Sequence, residues 1–277
     1  MSLPRSVPLA AWTAAVLAGR AGVADAVAAV VGDEEHTVTW GPADPAGPAV
    51  EEAFGHPVPD PAFLSDLLVL LSGDGAGGGP ARVRLALPVP GDATGLPPAP
   101  GLLGHACDAG ECVVVEDVPG PAGPFHVVAV PDVTVFGTDV DPGYQVTWTG
   151  FVTARPAPPG AVTPPVSVAE ADLELRLATR DATRELERLA VAAWSAGSSP
   201  AGRRGRPGPL PPLPDAFSAR SRQLLGSAAQ LLAIVDAARD DPGGAVTGYE
   251  TGRRDAALNT VRRAARRAVE AAVNLPG

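Results

Sequence analysis

Proline and glycine decide first what this chain can become. There are 32 of each among 277 residues, close to the ~25–30% share at which order gives way to low complexity. Proline fixes φ and has no backbone N–H, and glycine loses the most freedom when it is ordered. Much of the chain is therefore loop or linker, and the ordered elements lie between these punctuation marks. Aromatic residues make up only 4%, so the core must be built mainly from Ala, Val and Leu. A chain of this length can still bury roughly three quarters of its unfolded surface.

Residues 8–31 place Trp12, Val16, Val23, Val27 and Val30 at spacings of three, four or seven. That spacing predicts one amphipathic helix with Pro8 in its first turn. Arg5 before an apolar run and the triplet Ala24-Asp25-Ala26 have the look of a secretory signal. Arg20 interrupts that run and the stripe continues past the triplet, so the segment reads as part of the fold. No stretch of ~20 apolar residues is free of charge, and no membrane span is expected.

Glu35–Trp40 alternates as a short strand, residues 41–61 read as an irregular surface loop, and Phe63–Leu71 as a short buried helix behind Pro61. Gly73 to Gly78 matches G-x-G-x-x-G, but a helix precedes it and Pro80 with a strand follows. A dinucleotide site needs the reverse order, so this is a helix-to-strand connection. Val83–Leu87 and Cys112–Val115 are apolar runs suited to a sheet interior. Leu102–Ala109 between them reads as a small helix, compatible with a crossover between parallel strands. Phe125–Val130 and Val133–Phe136, parted by a Pro-Asp turn, and Gln145–Ala154 complete a sheet of four to six strands, antiparallel beyond Asp117.

Residues 155–166 form a linker-like boundary. Ser167-Val168-Ala169-Glu170 is an S-x-x-E capping box, and Leu175, Ala178, Ala182, Leu186, Leu189 and Ala193 give one stripe running to Trp194. Residues 195–214 have the composition of a flexible arm stiffening into polyproline II, best read as a spacer. A helical hairpin follows. Asp215 is the expected cap of its first helix, with Phe217, Leu224, Ala228, Leu231 and Val235 inward. Residues 241–244 form the turn, and Thr247 or Thr251 opens the second helix, with Ala257, Val261, Ala265, Ala268 and Ala272 inward. The fold class expected is α+β: a domain over residues 1–160 with an N-terminal helix and a small mixed or mostly antiparallel sheet. A helical region over 167–277 follows, one long helix plus the hairpin, with the linker at 195–214.

All 21 basic residues are arginine. A complete Walker A motif, a pyridoxal Schiff base, a Ser–Lys dyad and a protein-kinase site each need lysine, so these are excluded. A net charge of −10 argues against a general nucleic-acid binder, since phosphate contacts dominate that affinity. The charge is uneven: residues 1–160 hold 18 acidic and 5 basic side chains, residues 161–277 hold 13 and 16. Only Cys107 and Cys112 are cysteines, which is no disulfide framework and suits a reducing cytoplasm.

Ala81–Asp117 is where a small-molecule site is first sought. The Pro88–Gly95 loop leaves a buried strand directly, a position where α/β proteins place ligand-binding loops. Asp92, His105 and Glu111 are its candidate ligand-binding residues, with Glu116 and Asp117 as possible partners. Asp92 is equally suited to stabilising a turn. His105, Cys107, Cys112 and His126 have the nitrogen and sulfur donors of a tetrahedral Zn²⁺ site. H-x-C-x₄-C is not a common knuckle spacing, and cysteines beside Val113 also simply fill cores. No G-x-S-x-G elbow or H-E-x-x-H helix occurs, and no catalytic residue is nominated.

Trp12 in an Ala-rich N-terminal helix, the LALPVPGDATGLPPAP run, Ala109-Gly110-Glu111 before a strand and the segment DPGGAVTGYETGRRDAAL together resemble a family of uncharacterised actinobacterial proteins of similar length. The resemblance implies a cytoplasmic bacterial protein and brings no activity, ligand or catalytic residue with it. Three functions follow from the residues. The first is a non-enzymatic binding or interaction protein with an unidentified protein partner or a second copy of itself. The second is an enzyme or small-ligand binder using the 88–95 loop and the 105–117 segment. The third is nucleic-acid contact through Arg262, Arg263, Arg266 and Arg267, whose bland counterpart is a solvated face docking on the acidic first domain.

Overall fold

A computed structural model describes residues 3–44, 47–73, 81–93, 95–138, 141–154, 166–194, 210–240 and 248–274. The chain is α+β and divides into two compact units. The sheet unit takes Pro4–Pro164 together with Pro211–Phe217; the helical unit takes Pro165–Leu210 and Ser218–Gly277, with Met1–Leu3.

The sheet unit opens with α1 (Ser6–Leu17) and α2 (Val23–Val31), two helices where the apolar spacing predicted one. Gly19 at φ 65° and Gly22 flank the break, and the left-handed turn there interrupts a continuous ladder. Eight of the twelve residues of α1 are buried, so this helix is apolar nearly all round, as an interior helix is. The strands are β1 (Glu35–Trp40), β2 (Ala62–Phe63), β3 (Arg82–Ala86), β4 (Cys112–Val118), β5 (Phe125–Thr138) and β6 (Asp141–Ala154). Their order across the sheet is β2-β1-β6-β5-β4-β3. Only β1 and β6 pair in parallel; every other neighbour is antiparallel.

Three expectations are corrected. The helix α5 (Leu102–Ala109) does connect β3 and β4, but these strands pair antiparallel rather than parallel. The Pro-Asp turn expected at 131–132 is absent, and β5 runs straight through it. Pro131 lies past Ala129, the last residue of β5 paired with β4, and stands opposite Trp148 in the β5–β6 ladder; a strand tolerates proline where one flank has no partner. The loop at 41–61 contains the short helix α3 (Val50–Phe54). The helix α4 (Leu64–Ser72) lies where expected, burying Leu64, Leu67, Leu68 and Leu71, and Asp66 accepts the Phe63 N–H at its start, 2.9 Å. Gly73 ends it; the remainder of the glycine-rich motif lies outside the described residues, as do the boundary at 155–165, the arm at 195–209 and the turn at 241–247.

The centre of the sheet is buried on both faces, while the β5–β6 hairpin end leaves Val135 and Phe136 exposed. Cys112, Val114, Val128, Val130 and Phe151 pack with Leu102 and Ala106 of α5. The opposite face carries Leu85, Val113, Val115, Val127, Val38 and Trp148, against which α1 packs along β3 and β4 and α4 beside β1. Gly150 is required in this layer, because a Cβ there would lie 2.7 Å from the Trp40 ring. The polyproline stretch, read as a spacer, is partly an element of this unit. The Trp12 indole donates to the Pro212 carbonyl at 2.9 Å, and Leu213 and Pro214 are buried.

The helical unit consists of α6 (Val168–Trp194), α7 (Ala219–Asp240) and α8 (Gly248–Val273). The capping box forms as predicted: Glu170 accepts from the Ser167 N–H at 3.0 Å, and the Ser167 hydroxyl accepts from the Glu170 N–H at 3.2 Å. Ser218, not Asp215, caps α7, accepting the Ser221 N–H at 3.1 Å. Ala182, Val235, Leu258 and Val261 form a core with Leu186, Leu231, Ala238 and Ala257 around it.

Candidate functional site

The stretch nominated for ligand chemistry is mostly structural in its observed roles. Val89 and Asp92 exchange backbone hydrogen bonds at 3.0 and 2.8 Å across Pro90-Gly91. With Gly91 at φ 85°, this is the Pro-Gly turn that proline and a left-handed glycine favour. Asp92 closes that turn, half-buried. Next to it a cleft of about 580 Å³ is lined by Ala93, Leu96, Pro97, Pro98, Ala99, Pro100 and Leu103. The described side chains lining it are apolar, and Asp92, His105 and Glu111 are not among them.

The four proposed zinc ligands are not gathered. His105 packs on the Phe151 ring, centroids 5.8 Å apart, Cys107 is half-buried on α5, and Cys112 belongs to the apolar cluster under that helix. His126 Nδ1 accepts the Asp117 N–H at 3.1 Å, beside the irregularity in the β4–β5 register between Val115 and Val118. Among the described residues no three His, Cys, Asp or Glu side chains come together as a metal site. Cys107 and Cys112 are thiols rather than a disulfide. Glu116 is the ion-pair partner of Arg84 at 2.7 Å.

Glu111 has a different role. Its carboxylate accepts the Ser6 N–H at 2.6 Å and so caps the N-terminus of α1 from another element, where a negative charge meets the helix dipole. Burial pushes its carboxyl above the usual carboxylate range, against the lowering effect of the Ser6 and Arg5 donors. Arg5 in turn holds Glu34 with two hydrogen bonds, 2.9 and 2.7 Å, and stands over the Tyr144 ring at 5.2 Å. Glu34 Oε2 is 3.3 Å from His36 Nε2, and the fully buried Trp148 donates its indole N–H to His36 Nδ1 at 3.1 Å. That bond leaves Nε2 as the protonated nitrogen of the neutral ring, so it donates to Glu34. Burial lowers the His36 pKa, outweighing the pull of Glu34. Burial also pushes Glu34 up, yet Arg5 and His36 together bring it net below its ordinary value. The sequence carried a signal for this network. In Glu35–Trp40 the apolar row is His36, Val38, Trp40, and a histidine in a buried row requires partners.

A second cleft lies in the helical unit. Glu174–Arg267 at 3.1 Å and Glu185–Arg253 at 2.6 Å set α6 antiparallel to α8. Asp236–Arg262 at 3.7 Å and Arg239–Asn259 at 3.3 Å do the same for α7. The helices α6 and α7 are therefore parallel, each packed along α8 and only sparsely in contact with one another. Between their N-terminal halves is a groove of about 540 Å³. Its floor is buried Val168, Leu175 and Leu224 with half-buried Leu231; Arg176, Arg180 and Arg220 line it with Asp172, Thr179, Gln223 and Ser227, Arg176 pairing with Asp172 and Arg180 with Asp181. The arginines of α8, expected as an outer basic face, largely serve these crossings: Arg254 also donates to the Ala238 carbonyl.

Two family models match in succession, the Rv1486c-like protein N-terminal domain over residues 6–162 and the Rv1486c-like protein C-terminal domain over residues 169–270. The chain belongs to the Rv1486c-like family. The first match covers the sheet of this Rv1486c-like chain and the second its three long helices. Both descriptions name domains and no activity. No curated protein and no solved structure matches the chain.

Proposed function

We propose that this Rv1486c-like protein is a non-enzymatic interaction protein whose helical unit accepts one helix of a partner in the α6–α7 groove. One observation supports this reading above the others: α8 packs on both α6 and α7, while these two run parallel and scarcely meet. In an up-down-up-down bundle, parallel helices stand on a diagonal and two antiparallel helices fill the other corners. Here α8 fills one of them, and the α6–α7 groove marks the other, floored by buried Val168, Leu175 and Leu224 and half-buried Leu231, with Gln223, Ser227 and Arg220 exposed at its rim. An amphipathic helix laid into an apolar groove is a common mode of protein recognition. The setting we assign is a reducing cytoplasm, in keeping with two thiols and no disulfide. No described helix is long and apolar enough to cross a membrane.

A displayed library of amphipathic helical peptides, selected on the full chain, tests the reading. The expectation is a set of binders whose binding is lost on Ser227→Trp, which fills the groove. A library that enriches nothing, or binders that hold the Ser227→Trp chain equally well, would remove this function.

A further inference from the structure

We infer that the face of α1 around Trp12 is a recognition site for proline-rich segments in the polyproline II conformation, and that Pro211–Pro214 is its ligand held in cis. The site lies in the sheet unit and does not depend on the α6–α7 groove. The seven residues Pro211–Phe217 are part of the sheet unit, although the chain on both sides of them belongs to the helical unit. There a segment 200 residues away in sequence meets α1, the Trp12 indole donating to the Pro212 carbonyl at 2.9 Å.

The conformation of the segment follows from its sequence. In Leu210-Pro211-Pro212-Leu213-Pro214 the prolines have φ fixed near about −65°. Leu210, Pro211 and Leu213 each precede a proline, which drives them out of the helical region. Polyproline II repeats every three residues, so Pro211 and Pro214 share one edge of the strand and Pro212 lies on another. The burial has that period: Pro211 is half-buried, Pro212 is exposed, and Leu213 and Pro214 are buried. Such a strand makes no internal hydrogen bonds, so its carbonyls are left to outside donors, and the Trp12 indole supplies one. The Phe217 N–H closes on the Pro214 carbonyl at 3.0 Å, a turn that ends the extended run after its last buried proline.

The receptor side has the matching chemistry. Pro8 and Val16 stand one turn to either side of Trp12 on the same face of α1. An indole flanked by apolar residues, with its N–H on a carbonyl of a proline-rich strand, is the kind of aromatic platform on which Pro-x-x-Pro segments dock. Pro211 and Pro214 have that spacing. The contact is also at the surface. Trp12 is half-buried and Pro212 exposed, whereas Trp148 is fully buried and gives its indole N–H to His36. A surface segment of a few residues opens on its own before a sheet does. Tethering raises its effective concentration, so in the parent chain the segment keeps the site closed to free peptide.

The test uses the full chain with its own segment disabled by Leu213→Ser and Pro214→Ser, and a fluorescein-labelled peptide of residues 210–217. Fluorescence anisotropy should show saturable binding to the disabled chain and binding weaker by about tenfold or more to the parent, whose own segment competes. Trp12→Phe added to the disabled chain keeps a ring and removes the donor. It should weaken the peptide about three- to tenfold, the effect of one hydrogen bond. A peptide carrying Pro211→Ala and Pro214→Ala should bind about tenfold more weakly, because its extended shape is no longer set in advance. No saturable binding to a folded disabled chain would overturn the site. Equal binding to parent and disabled chains would overturn closure in cis, and equal binding of the two peptides would overturn polyproline recognition. Should the disabled chain not fold, hydrogen exchange at the Trp12 indole of the parent decides. Exchange far faster than at Trp148, and barely accelerated by denaturant, would support a segment that leaves its site. Exchange of both indoles only on global unfolding would make Pro211–Pro214 part of the core and overturn the proposal.

Discussion

In the sheet unit a set of charged groups is turned inward on one another, whereas in the helical unit the charges pair along exposed helix surfaces and crossings. Glu34 holds Arg5 and His36 together, Trp148 fixes the far side of His36, and Glu111 sits on the first turn of α1. These groups border a closed apolar layer, and each has a partner that fixes it. The helical unit pairs its arginines along α8, and at the groove Arg176 and Arg180 are held by Asp172 and Asp181 of their own helix while Arg220 is exposed. The difference shows what partners are for in each place. A polar group under a sheet must be satisfied when the chain folds, because leaving it unmade is costly. A charge on an exposed helix surface stays hydrated, so its pairing decides little of the stability. The sheet unit thus fixes its charges inside the fold, and the helical unit carries its charges at the surface.

The largest effects should come from opening the finished core. Trp148→Ala removes the biggest fully buried side chain and strips His36 of its donor, at a cost of about 3–5 kcal/mol. Denaturation followed by both near- and far-ultraviolet circular dichroism should show it as loss of the sheet unit at lower denaturant. If the helical signal moved by the same amount, the units would fold as one and the contrast drawn above would fail. Gly150→Ala comes next. A Cβ 2.7 Å from the Trp40 ring overpacks the β1–β6 pair and should cost about 1–3 kcal/mol, measured as a shift in the unfolding midpoint with unchanged slope. A neutral result would mean that Trp40 moves aside freely.

The fold was legible wherever one local rule acted alone. The Ser167–Glu170 box and the stripe through Leu175 and Ala182 predicted α6, and alternation predicted β1. The break at Gly19–Gly22 was hidden because the apolar spacing continues through it, and spacing is blind to a left-handed turn that simply resets the phase. Pro131 misled for a related reason. A proline ends a strand only where its N–H is needed, and that depends on which neighbour has already stopped. The candidate site was much less legible. Asp92, His105, Cys112 and Glu111 are adjacent in sequence but separate on the turn, the Phe151 ring, the core and the α1 terminus. The Glu34–His36 network and the α6–α7 groove each depend on residues far apart in the chain, and only the pairing of whole elements brings them together.

The pH dependence of the sheet unit separates its two buried titrating groups. Glu111 has a raised pKa in the folded chain; its contribution is fully present below the unfolded value of about 4.5 and is lost as pH rises through the folded value. His36 has a lowered pKa; its contribution is present above about 6.5 and is lost as pH falls below that toward the folded value. Glu34, also lowered, adds a further loss as pH falls below about 4.5. Glu111→Gln keeps an oxygen for the Ser6 N–H while removing the charge, so it should flatten the decline on the alkaline side of pH 4.5 and leave the His36 limb in place. Stability curves measured from pH 4 to 8 decide this. A Glu111→Gln chain with an unaltered profile would mean that the carboxylate is hydrated in the folded state, and the sheet unit would then be less closed than the network implies.

The smallest effect belongs to the helix crossings. Arg267 and Glu174 meet at 3.1 Å with 48% and 41% of their side chains exposed. Exposed pairs of this kind contribute only about 0.2–1 kcal/mol. Arg267→Ala should therefore barely move the unfolding midpoint, and the residual effect should vanish in high salt. A loss of more than about 1 kcal/mol that survived high salt would mean that the α6–α8 crossing is shielded from solvent, and the contrast with the buried groups of the sheet unit would narrow.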